Sequence, residues 1–360
     1  MPKPKVVVAM SGGVDSSVAA AILKNQGFQV IGVTMLLHSE DGAAEHAKLV
    51  ADRLGIPHHV VDLREIFAQK VITPFLEEYS LGRTPNPCIN CNFHIKFGAL
   101  LGEALELGAE LMATGHYVRV EPSPAGYRLL KGVDRSKDQS YFLYTLGQEQ
   151  LCRLLLPIGY LHKSEVRQLA AELGLSNIIR HESQDICFIP NSDYRSFIAG
   201  HILSSPGDIV DTQGRVLRKH RGLAYYTVGQ RHGLELASDR RLYVLSLDAN
   251  SNRLVVGSKE QLFARQLSAQ QLSWVSGKAP KDFSHITAGV RYKSPETAVS
   301  LSLDNNAATV EFAQPQRAIA PGQSIVFYQG EAVLGGGIIE TSELAEKDEL
   351  NGHPTHALIH

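Results

Sequence analysis

The 360-residue sequence has few cysteines, no long apolar run and almost no net charge. Four cysteines in a chain of this length exclude a disulfide scaffold and fit a reducing cytoplasm. No apolar stretch approaches the roughly 20 residues of a membrane helix, and the one after the basic start is too short for a signal peptide. A formal charge of −2 gives no overall basic footprint for nucleic acid. We therefore expect a cytoplasmic protein whose partners cannot be identified from composition.

The hydrophobic pattern changes at about residue 200. Before it, short β-branched runs such as Lys5 to Met10 and Val30 to Leu36 alternate with apolar stripes at helical spacing, which predicts a doubly wound, parallel α/β sheet. After it, alternating strands and tight turns, including Gln329-Gly330, predict a small β-rich middle domain followed by a C-terminal β-barrel. The predicted divisions are 1–200 for the catalytic domain, 201–265 for the middle domain, 266–345 for the barrel and 346–360 for a polar tail.

The segment SGGVDSS, Ser11 to Ser17, lies between a predicted strand and a predicted helix. Its glycines let backbone amides turn toward an anion, and the helix start adds the positive end of its dipole. Asp15 is expected to hold Mg²⁺ against a pyrophosphate, because Mg²⁺ favours one or two carboxylates together with phosphate oxygens. No Gly-Lys-Ser/Thr follows, so this is not a Walker A loop. A capped glycine turn is the simpler interpretation, but the full string favours pyrophosphate binding.

Three of the four cysteines lie in distinctive segments. Cys88 and Cys91 belong to GRTPNPCINCNFHIKF and Cys187 to SQDICFIP, whereas Cys152 lies among leucines and is predicted to fill core space. Cys91 directly precedes a helix predicted to begin near Asn92. A thiol at a helix N-terminus has a lowered pKa and carries more of the reactive thiolate.

Neighbouring residues and the third thiol extend this prediction. We expect Lys96 and His94 to lower the pKa of the Cys91 thiol further if they face it. Two reactive thiols from separate segments suit a sulfur relay, in which one carries a persulfide and the other resolves it by forming a disulfide.

Two alternatives for these cysteines remain open. In the first, the Cys88-x-x-Cys91 pair would form half of a zinc site, although no second CxxC or HxxxH pair follows at the usual spacing. Cys88, Cys91 and Cys187 together would also hold an iron–sulfur cluster with one open iron position, which suits sulfur transfer as well.

SGGVDSS resembles the PP-loop of ATP pyrophosphatases, which cleave ATP to AMP and pyrophosphate while adenylating a substrate. The superfamily includes small-molecule synthetases as well as RNA-modifying enzymes, so the loop alone does not identify the substrate. Segments along nearly the whole chain resemble the tRNA-specific 2-thiouridylase family more specifically. They are VAMSGGVDSS, GRTPNPCINCNFHIKF, ATGHYVRV, KDQSYFLY, SQDICFIP, GLAYYTVGQRHGL, RYKSPETA and PGQSIVFYQGEAVLGGGII.

The resemblance implies ATP-dependent 2-thiolation of the wobble uridine in tRNA anticodons. Uracil O2 would be adenylated and then replaced by sulfur from a protein-bound persulfide. The implied cofactors are ATP and Mg²⁺. The implied partners are tRNA and a persulfide-donating sulfur carrier or cysteine desulfurase. No feature of the sequence calls for an obligate oligomer, so a monomer is expected.

The resemblance also implies roles for individual residues. Cys91 would be the catalytic nucleophile and Cys187 the persulfide carrier. The ATP site would comprise Val8, Ala9, Met10, Ser11, Gly12, Gly13, Val14, Asp15, Ser16, Met35 and Gly115. The target base would meet Asn86, Pro87 and Cys88. Contacts with tRNA would come from His116, Lys137, Asp138, Gln139, Arg291, Tyr292 and Gln323. Without the resemblance, most of these polar residues would be taken for solvated loops.

One departure and two rival functions accompany the resemblance. Some family members have Asp at the position of Cys88, so this thiol has no role in a two-thiol relay. It keeps the cluster alternative open and makes Cys88 a second candidate to pair with Cys91 on oxidation.

The rivals are an adenylating synthetase for a small molecule, which would not need two thiols, and a non-catalytic tRNA-binding protein, which would not need Asp15, Cys91 and Cys187 together.

Overall fold

The computed structural model describes residues 3–38, 42–175, 186–189, 193–236 and 240–344. The predicted polar tail, 346–360, lies outside these residues. None of the helices in these ranges combines the length and the apolar character that crossing a membrane requires.

A parallel sheet with the strand order β3-β2-β1-β4-β7 forms the centre of the first part of the chain. Numbered along the chain, its strands are β1 (Lys5–Ala9), β2 (Gln29–Leu36), β3 (His58–Asp62), β4 (Leu111–Ala113) and β7 (Leu154–Leu155). Val6, Val7 and Val8 of β1 are fully buried, as expected for a central strand covered on both faces. The predicted doubly wound α/β sheet is therefore confirmed.

Helices cover this sheet and continue beyond it. They are α1 (Val14–Asn25), α2 (Ala43–Leu54), α3 (Arg64–Phe67), α4 (Thr73–Ser80), α5 (Pro87–Asn90), α6 (Leu100–Glu106), α7 (Gln148–Leu151), α8 (Lys163–Glu172) and α9 (Tyr194–His201). Short 3₁₀ helices occupy Ser140–Leu143, Pro157–Tyr160, Leu223–Tyr225 and Glu260–Leu262. The π-helical segment Cys91–Ala99 joins α5 to α6, so residues 87–106 form one continuous helical run. A second π-helical segment, Ala68–Ile72, joins α3 to α4.

A small sheet of order β10-β11-β8-β9 follows in the middle of the chain. Its strands are β8 (Gly207–Asp211), β9 (Val216–His220), β10 (Tyr243–Asp248) and β11 (Arg253–Gly257). Ile209, Val244, Leu254 and Val256 are fully buried and form its own small core.

The C-terminal strands close into an antiparallel barrel. They are β12 (Phe263–Trp274), β13 (Ile286–Gly289), β14 (Thr297–Asp304), β15 (Ala307–Arg317), β16 (Ser324–Gln329) and β17 (Ala332–Leu344). The order is β12-β15-β14-β13-β16-β17, and β17 pairs again with β12, which closes the barrel. The predicted hairpin after Gln329 is present, because Gln329 pairs with Ala332.

A hairpin from the first part of the chain extends the barrel sheet, and no pattern in the sequence predicted it. Its strands β5 (Val118–Ser123) and β6 (Gly126–Lys131) pair with each other, and Leu129 and Leu130 of β6 pair with the start of β17. The Tyr141 hydroxyl donates to the Ser324 carbonyl at 2.7 Å across the same boundary. The α/β part and the barrel are thus joined by backbone pairing as well as side-chain contacts.

Candidate active site

The loop after β1 is held in shape by its own hydroxyl groups. The Ser16 Oγ accepts a hydrogen bond from the Ser11 amide at 3.2 Å and donates one to the Gly13 carbonyl at 3.1 Å. Gly12 has φ +71°, and a Cβ at this position would lie 2.7 Å from the His46 Cβ. The loop therefore has one backbone shape, with the exposed Ser11 at its surface and α1 beginning behind it.

The other predicted ATP residues surround this loop at the carboxyl edge of the sheet, where doubly wound folds bind ligands. Gly115 follows β4 and packs so tightly on α1 that a Cβ there would lie 2.6 Å from the Ser16 amide nitrogen. Met35 stands next to the end of β2 and is partly buried. Three of the predicted residues are buried beneath the loop and support it: Val8, Met10 and Val14.

Asp15 takes part in an ion pair that the sequence did not reveal. The Lys163 ammonium, at the start of α8, donates to both Asp15 carboxylate oxygens at 2.7 and 2.9 Å. The Tyr117 hydroxyl donates to the Asp15 Oδ1 at 2.7 Å. Lys163 lies 148 residues from Asp15, and no local pattern links the two. Asp15 therefore does not fit its predicted role as a Mg²⁺ ligand, because the Lys163 ammonium occupies both of its carboxylate oxygens. No catalytic step is assigned to a metal on Asp15.

The helix that carries Cys88 and Cys91 begins earlier than predicted. The Asn86 side chain accepts a hydrogen bond from the Cys88 amide at 3.2 Å and caps α5, and Pro87 is its first residue. Cys91 begins the π-helical segment one turn further on. The prediction that Cys91 lies at a helix N-terminus is therefore wrong. Cys88 lies in the first turn instead, because Asn-Pro is itself a helix-starting signal.

The electrostatics of the thiols also differ from the prediction. Burial raises the pKa of the Cys91 thiol, and Lys96 lowers it by a smaller amount. Burial likewise raises the pKa of the Cys88 thiol, opposed by Lys96. The predicted lowering of the Cys91 pKa is thus wrong in sign, because one turn of helix separates this thiol from the dipole end and protein surrounds it.

Cys187 belongs to the same site. Its pKa is raised to about 12, first by burial and then by the charges of Cys91 and Cys88, while Lys96 opposes the rise. Solvent touches Cys88 and Cys187 at the surface, although protein surrounds most of each thiol group. The structure therefore brings all three predicted cysteines together around one lysine.

Aromatic packing holds Cys187 in place. The neighbouring Phe188 is buried, with its ring centroid 5.7 Å from that of Phe67, 5.3 Å from Phe75 and 5.5 Å from Phe197. Burying a ring of this size contributes about 3 kcal/mol or more. Cys187 is thus anchored at the edge of the main core, while the first residues of its motif, 183–185, lie outside the described residues.

The remaining predictions for the cysteines have different outcomes. Cys152 was predicted to be buried but is exposed, because its thiol lies at the end of α7 and donates to the Glu149 carbonyl at 3.3 Å. Within the described ranges, no group of three or more His, Cys, Asp or Glu side chains is arranged to hold a metal ion. The zinc and iron–sulfur alternatives for the three thiols stay untested predictions.

Two predicted tRNA contacts lie beside the thiols. The Tyr292 ring centroid is 4.4 Å from that of Phe142. The pKa of Tyr292 is raised by burial first and then by Asp138 and Cys88, so this ring lies near the thiol site. Arg291 precedes it and lines an open cleft.

The other predicted tRNA contacts make internal hydrogen bonds. His116 is buried, bonded to the Thr114 hydroxyl at 2.6 Å, and its pKa is lowered well below the usual value by burial and by Lys96. Asp138 accepts from the Gly132 amide at 2.8 Å. The remaining bonds tie Gln139 to the Tyr117 amide and Gln323 to the Thr84 carbonyl. Lys137 is partly buried. Their contacts with tRNA stay predictions.

The loop and the thiols are connected through Gly115, His116 and Lys96. Gly115 contacts the first turn of α1. The ring centroid of the next residue, His116, lies 5.7 Å from that of Phe97, which belongs to the helical run 87–106 that carries Cys88 and Cys91, here called the thiol helix. The Lys96 charge acts on His116 as well as on the three thiols. A substrate held between the loop and the thiols would therefore meet both.

Three family models match the chain in succession. The tRNA methyl transferase HUP domain matches residues 4–191, the tRNA methyl transferase PRC-barrel domain matches residues 195–258, and the aminomethyltransferase beta-barrel domain matches residues 264–339.

Curated relatives match over nearly their whole length. The tRNA-specific 2-thiouridylase MnmA of Heliobacterium modesticaldum is 48% identical, over 94% of this chain and 92% of its own. The enzyme of the same name from Acidithiobacillus ferrooxidans is 44% identical, over 95% of this chain and 100% of its own. Among solved structures, a complex of a 4-thiouridine synthetase with RNA and bound ATP is 20% identical with a TM-score of 0.32, over 49% of this chain and 42% of that one. A likeness as low as the last carries no functional argument.

Proposed function

Because the chain belongs to the tRNA-specific 2-thiouridylase family, we propose that it uses ATP to replace the 2-oxygen of the wobble uridine in tRNA anticodons with sulfur. The observation that carries this proposal is the convergence of three cysteines around Lys96 next to a loop suited to pyrophosphate. Methyl transfer, which the names of two matching family models suggest, would use neither the thiols nor the loop.

The first half-reaction activates the base. Uracil O2 attacks the α-phosphorus of ATP, the N3 proton leaves to solvent, and pyrophosphate departs. Amides of the loop from Ser11 to Ser16 would bind the pyrophosphate, and the Lys163–Asp15 pair would hold the first turn of α1 in place. The oxygen at C2 is now part of a good leaving group, and it departs as AMP in the second half-reaction.

The second half-reaction transfers sulfur. The terminal sulfur of a persulfide on Cys187 attacks C2, and AMP leaves. The Cys91 thiolate then attacks the Cys187 sulfur, which breaks the S–S bond to the transferred atom and leaves 2-thiouridine with a Cys91–Cys187 disulfide. If Cys91 attacks first, the same atoms move by way of released sulfide. In both orders the persulfide sulfur gains two electrons from the thiols, and an external dithiol must reduce the disulfide before the next cycle.

The base must leave the anticodon stack to reach this site. Extruding an unpaired loop nucleotide costs only a few kcal/mol. The predicted base contacts Asn86, Pro87 and Cys88 lie one helical turn before Cys91. The Tyr292 ring, packed on Phe142, offers an aromatic face near Cys88. The middle domain and the barrel, at the predicted divisions 201–265 and 266–345, would hold the anticodon stem through phosphates and 2′-hydroxyls.

We propose further that ATP and tRNA are the substrates and that a persulfide-carrying protein supplies the sulfur. Cys187 is exposed at the surface, where such a donor can reach it. A monomer suffices for this reaction, because the loop and the thiols come from one chain.

A thiolation assay with single cysteine variants tests the proposal. Protein purified without oxygen is assayed for iron and incubated with unmodified tRNA, ATP and a persulfide donor, and digested nucleosides are analysed for 2-thiouridine. We expect activity without iron, lost in Cys91→Ser and Cys187→Ser and retained in Cys88→Ser. Cys152→Ser is the matched control, since this exposed thiol lies outside the site. Activity that follows iron content and requires Cys88 would instead establish the cluster mechanism.

A further inference from the structure

The segment that follows β4 lies at the crevice between β1 and β4. The two strands are parallel neighbours, with Val8 paired with Ala113, so their carboxyl ends lie side by side. The strand order runs outward from this point in both directions, to β2 and β3 on one side and to β7 on the other, and doubly wound folds bind ligands at such a reversal. His116 follows Gly115, which packs on the first turn of α1, and so borders this crevice.

His116 also lies between the loop from Ser11 to Ser16 and the thiols. Its ring centroid is 5.7 Å from that of Phe97 on the thiol helix, and the Lys96 charge that acts on the three thiols also acts on it. In the proposed reaction the α-phosphorus of ATP must lie in the same interval, because the loop binds pyrophosphate and the thiols supply sulfur to C2 of the adenylated base. His116 therefore borders the expected position of the α-phosphate.

The hydrogen bonds of Thr114 fix the tautomer of the His116 ring. The Thr114 hydroxyl is buried, accepts from the His116 amide at 3.3 Å and lies 2.6 Å from the His116 Nδ1. Among the described residues, Nδ1 is the only acceptor bonded to this hydroxyl, so the hydroxyl donates its proton to Nδ1. Nδ1 is therefore the unprotonated nitrogen of the neutral ring, and Nε2 carries the proton.

The His116 Nε2–H is a donor that the fold leaves unused. In the part of the chain that the structure describes, it has no hydrogen-bond partner, yet it is not sealed inside the protein as the unpartnered Asn92 Oδ1 is. Burial first and the Lys96 charge second lower the pKa of His116 well below its usual range, so the ring is neutral near neutral pH. A neutral N–H donates to an anion without placing a second cation beside Lys96.

We propose that the His116 Nε2–H donates a hydrogen bond to a non-bridging oxygen of the ATP α-phosphate and stabilises the transition state of base adenylation. The inference rests on the proposed function and adds a catalytic residue to its first half-reaction, with Thr114 as the positioning residue. When uracil O2 attacks the α-phosphorus and the bond to pyrophosphate breaks, charge is shared among the non-bridging oxygens. A fixed donor aimed at one of them stabilises that charge, and no covalent bond to His116 forms or breaks.

Pyrophosphate release in a single turnover, with ATP, unmodified tRNA and no sulfur donor, tests the inference. His116→Met removes the donor, whereas His116→Gln places an amide N–H near the position of Nε2. We expect His116→Met to lower kcat about 100-fold with little change in KM for ATP, since one donor to a developing charge is worth about that much. His116→Gln should recover most of the loss. The control is His59→Gln, an exposed histidine on β3, two strands from β1.

The two α-phosphorothioate diastereomers of ATP identify the contacted atom, because each has sulfur in place of one non-bridging α-oxygen. Sulfur is a poor hydrogen-bond acceptor, so the parent protein should use one diastereomer several-fold more slowly than the other. This difference should disappear in His116→Met and persist in His59→Gln. The same stereochemical preference in His116→Met and the parent protein would overturn the inference, and so would equal losses of activity in His116→Met and His116→Gln.

Nitrogen-15 NMR of histidine-labelled protein tests the tautomer without turnover. The His116 signals, identified by their loss in His116→Gln, should show a protonated Nε2 and an unprotonated Nδ1 at neutral pH. The Nε2 signal should shift when α,β-methylene-ATP binds. A protonated Nδ1, or no shift with the bound nucleotide, would overturn the inference.

Failure of the proposed function gives a different result from failure of the inference. If the parent protein releases no pyrophosphate with tRNA but its Nε2 signal shifts with the nucleotide, the proposed function fails and the contact with the α-phosphate stands. If His116→Met binds tRNA more weakly but releases pyrophosphate at the parent rate once tRNA is saturating, the residue serves tRNA binding alone and the inference is wrong.

Discussion

Lys96 is the charged residue that favours the thiolate form of all three cysteines. Burial raises the pKa of each thiol, and the Lys96 ammonium is the cation that opposes the rise in all three. A group whose charged form is disfavoured by burial gains most from one nearby opposite charge, because the surrounding protein screens that charge weakly. Lys96 therefore increases the thiolate fraction of all three cysteines, against the larger effect of burial.

Replacing Lys96 by methionine is expected to slow alkylation of Cys91 and Cys187 by iodoacetamide several-fold at pH 7.5. The pKa of each thiol rises when the cation is lost, and each unit of pKa reduces the thiolate fraction tenfold. The alkylation rate, followed by mass spectrometry from pH 7 to 10, should shift to higher pH. Lys70→Met is the control, since this exposed lysine acts on His94 but is not among the causes of the thiol shifts. Equal pH profiles for Lys96→Met and the parent protein would contradict the assignment.

The sequence predicts these site residues better than it predicts their environments. Cys91 and Cys187 were predicted to act together, and the structure brings them together. The helix was predicted to begin near Asn92, although Asn86-Pro87 is itself a helix-starting signal. Lys163 was missed because an ion pair across 148 residues leaves no local pattern.

At the level of secondary-structure elements, the contact between β4 and α1 shapes the ATP loop. Gly115 follows β4 and meets the backbone of Asp15 and Ser16 at distances that exclude any side chain. The loop therefore keeps its shape only while this glycine lets the two elements approach each other.

Gly115→Ala is expected to abolish most ATP-dependent pyrophosphate release. The added methyl group would push the first turn of α1 outward, at a cost of about 1 to 3 kcal/mol in folding free energy. Gly102→Ala in α6 is the control, because nothing lies within 4 Å of its Cβ position, and it should stabilise the helix by about 0.5 to 1 kcal/mol. Pyrophosphate release and thermal unfolding measure both variants. Parent-like release in Gly115→Ala would show that the close contact is dispensable.

Periodicity identified the local elements well and missed those defined by distant partners. β1, α1, β2 and α2 lie where alternating strand and helix patterns predict them, since each depends on neighbouring residues. The β5–β6 hairpin was not predicted, because what fixes it is pairing with β17, about 200 residues away. The local sequence of an edge strand does not show which distant strand it will pair with.

At the scale of the whole molecule, the three parts are held together at the loop before the thiol helix. The Arg83 guanidinium pairs with Glu78 at 2.7 Å and with Glu340 of the barrel at 2.8 and 3.0 Å. The Thr84 amide donates to the Pro321 carbonyl at 2.8 Å. The loop that leads to Cys88 is therefore clamped by the barrel, and the β-rich half supports the catalytic helix.

Arg83→Met is expected to destabilise the protein by about 1 to 3 kcal/mol and to separate two unfolding transitions that coincide in the parent protein. Trp274, the single tryptophan, is stacked on Phe327 and reports the barrel, whereas far-ultraviolet circular dichroism reports the helices of the α/β part. Lys48→Met removes an exposed, local pair with Asp52 and should leave both urea transitions nearly unchanged. Separate transitions in the parent protein would mean that the parts fold independently.

The change of pattern near residue 200 predicted the succession of an α/β part, a small β-rich part and a barrel. It did not predict how the parts meet. The Arg83–Glu340 pair joins residues 257 positions apart, and the Gln323–Thr84 bond joins residues 239 apart. Such contacts arise only from the folded arrangement, so no local pattern in the sequence could predict them.

Mapping the transferred sulfur atom tests the central claim most directly. The protein is loaded by a persulfide donor, and samples are taken before and after one turnover with ATP and unmodified tRNA. In each sample the thiols are then blocked and the peptides are analysed by mass spectrometry. The account predicts one extra sulfur on Cys187 before turnover, and a Cys91–Cys187 disulfide with an equal amount of 2-thiouridine after it. An extra sulfur on Cys88 or Cys91, or a Cys88–Cys91 disulfide, would contradict it.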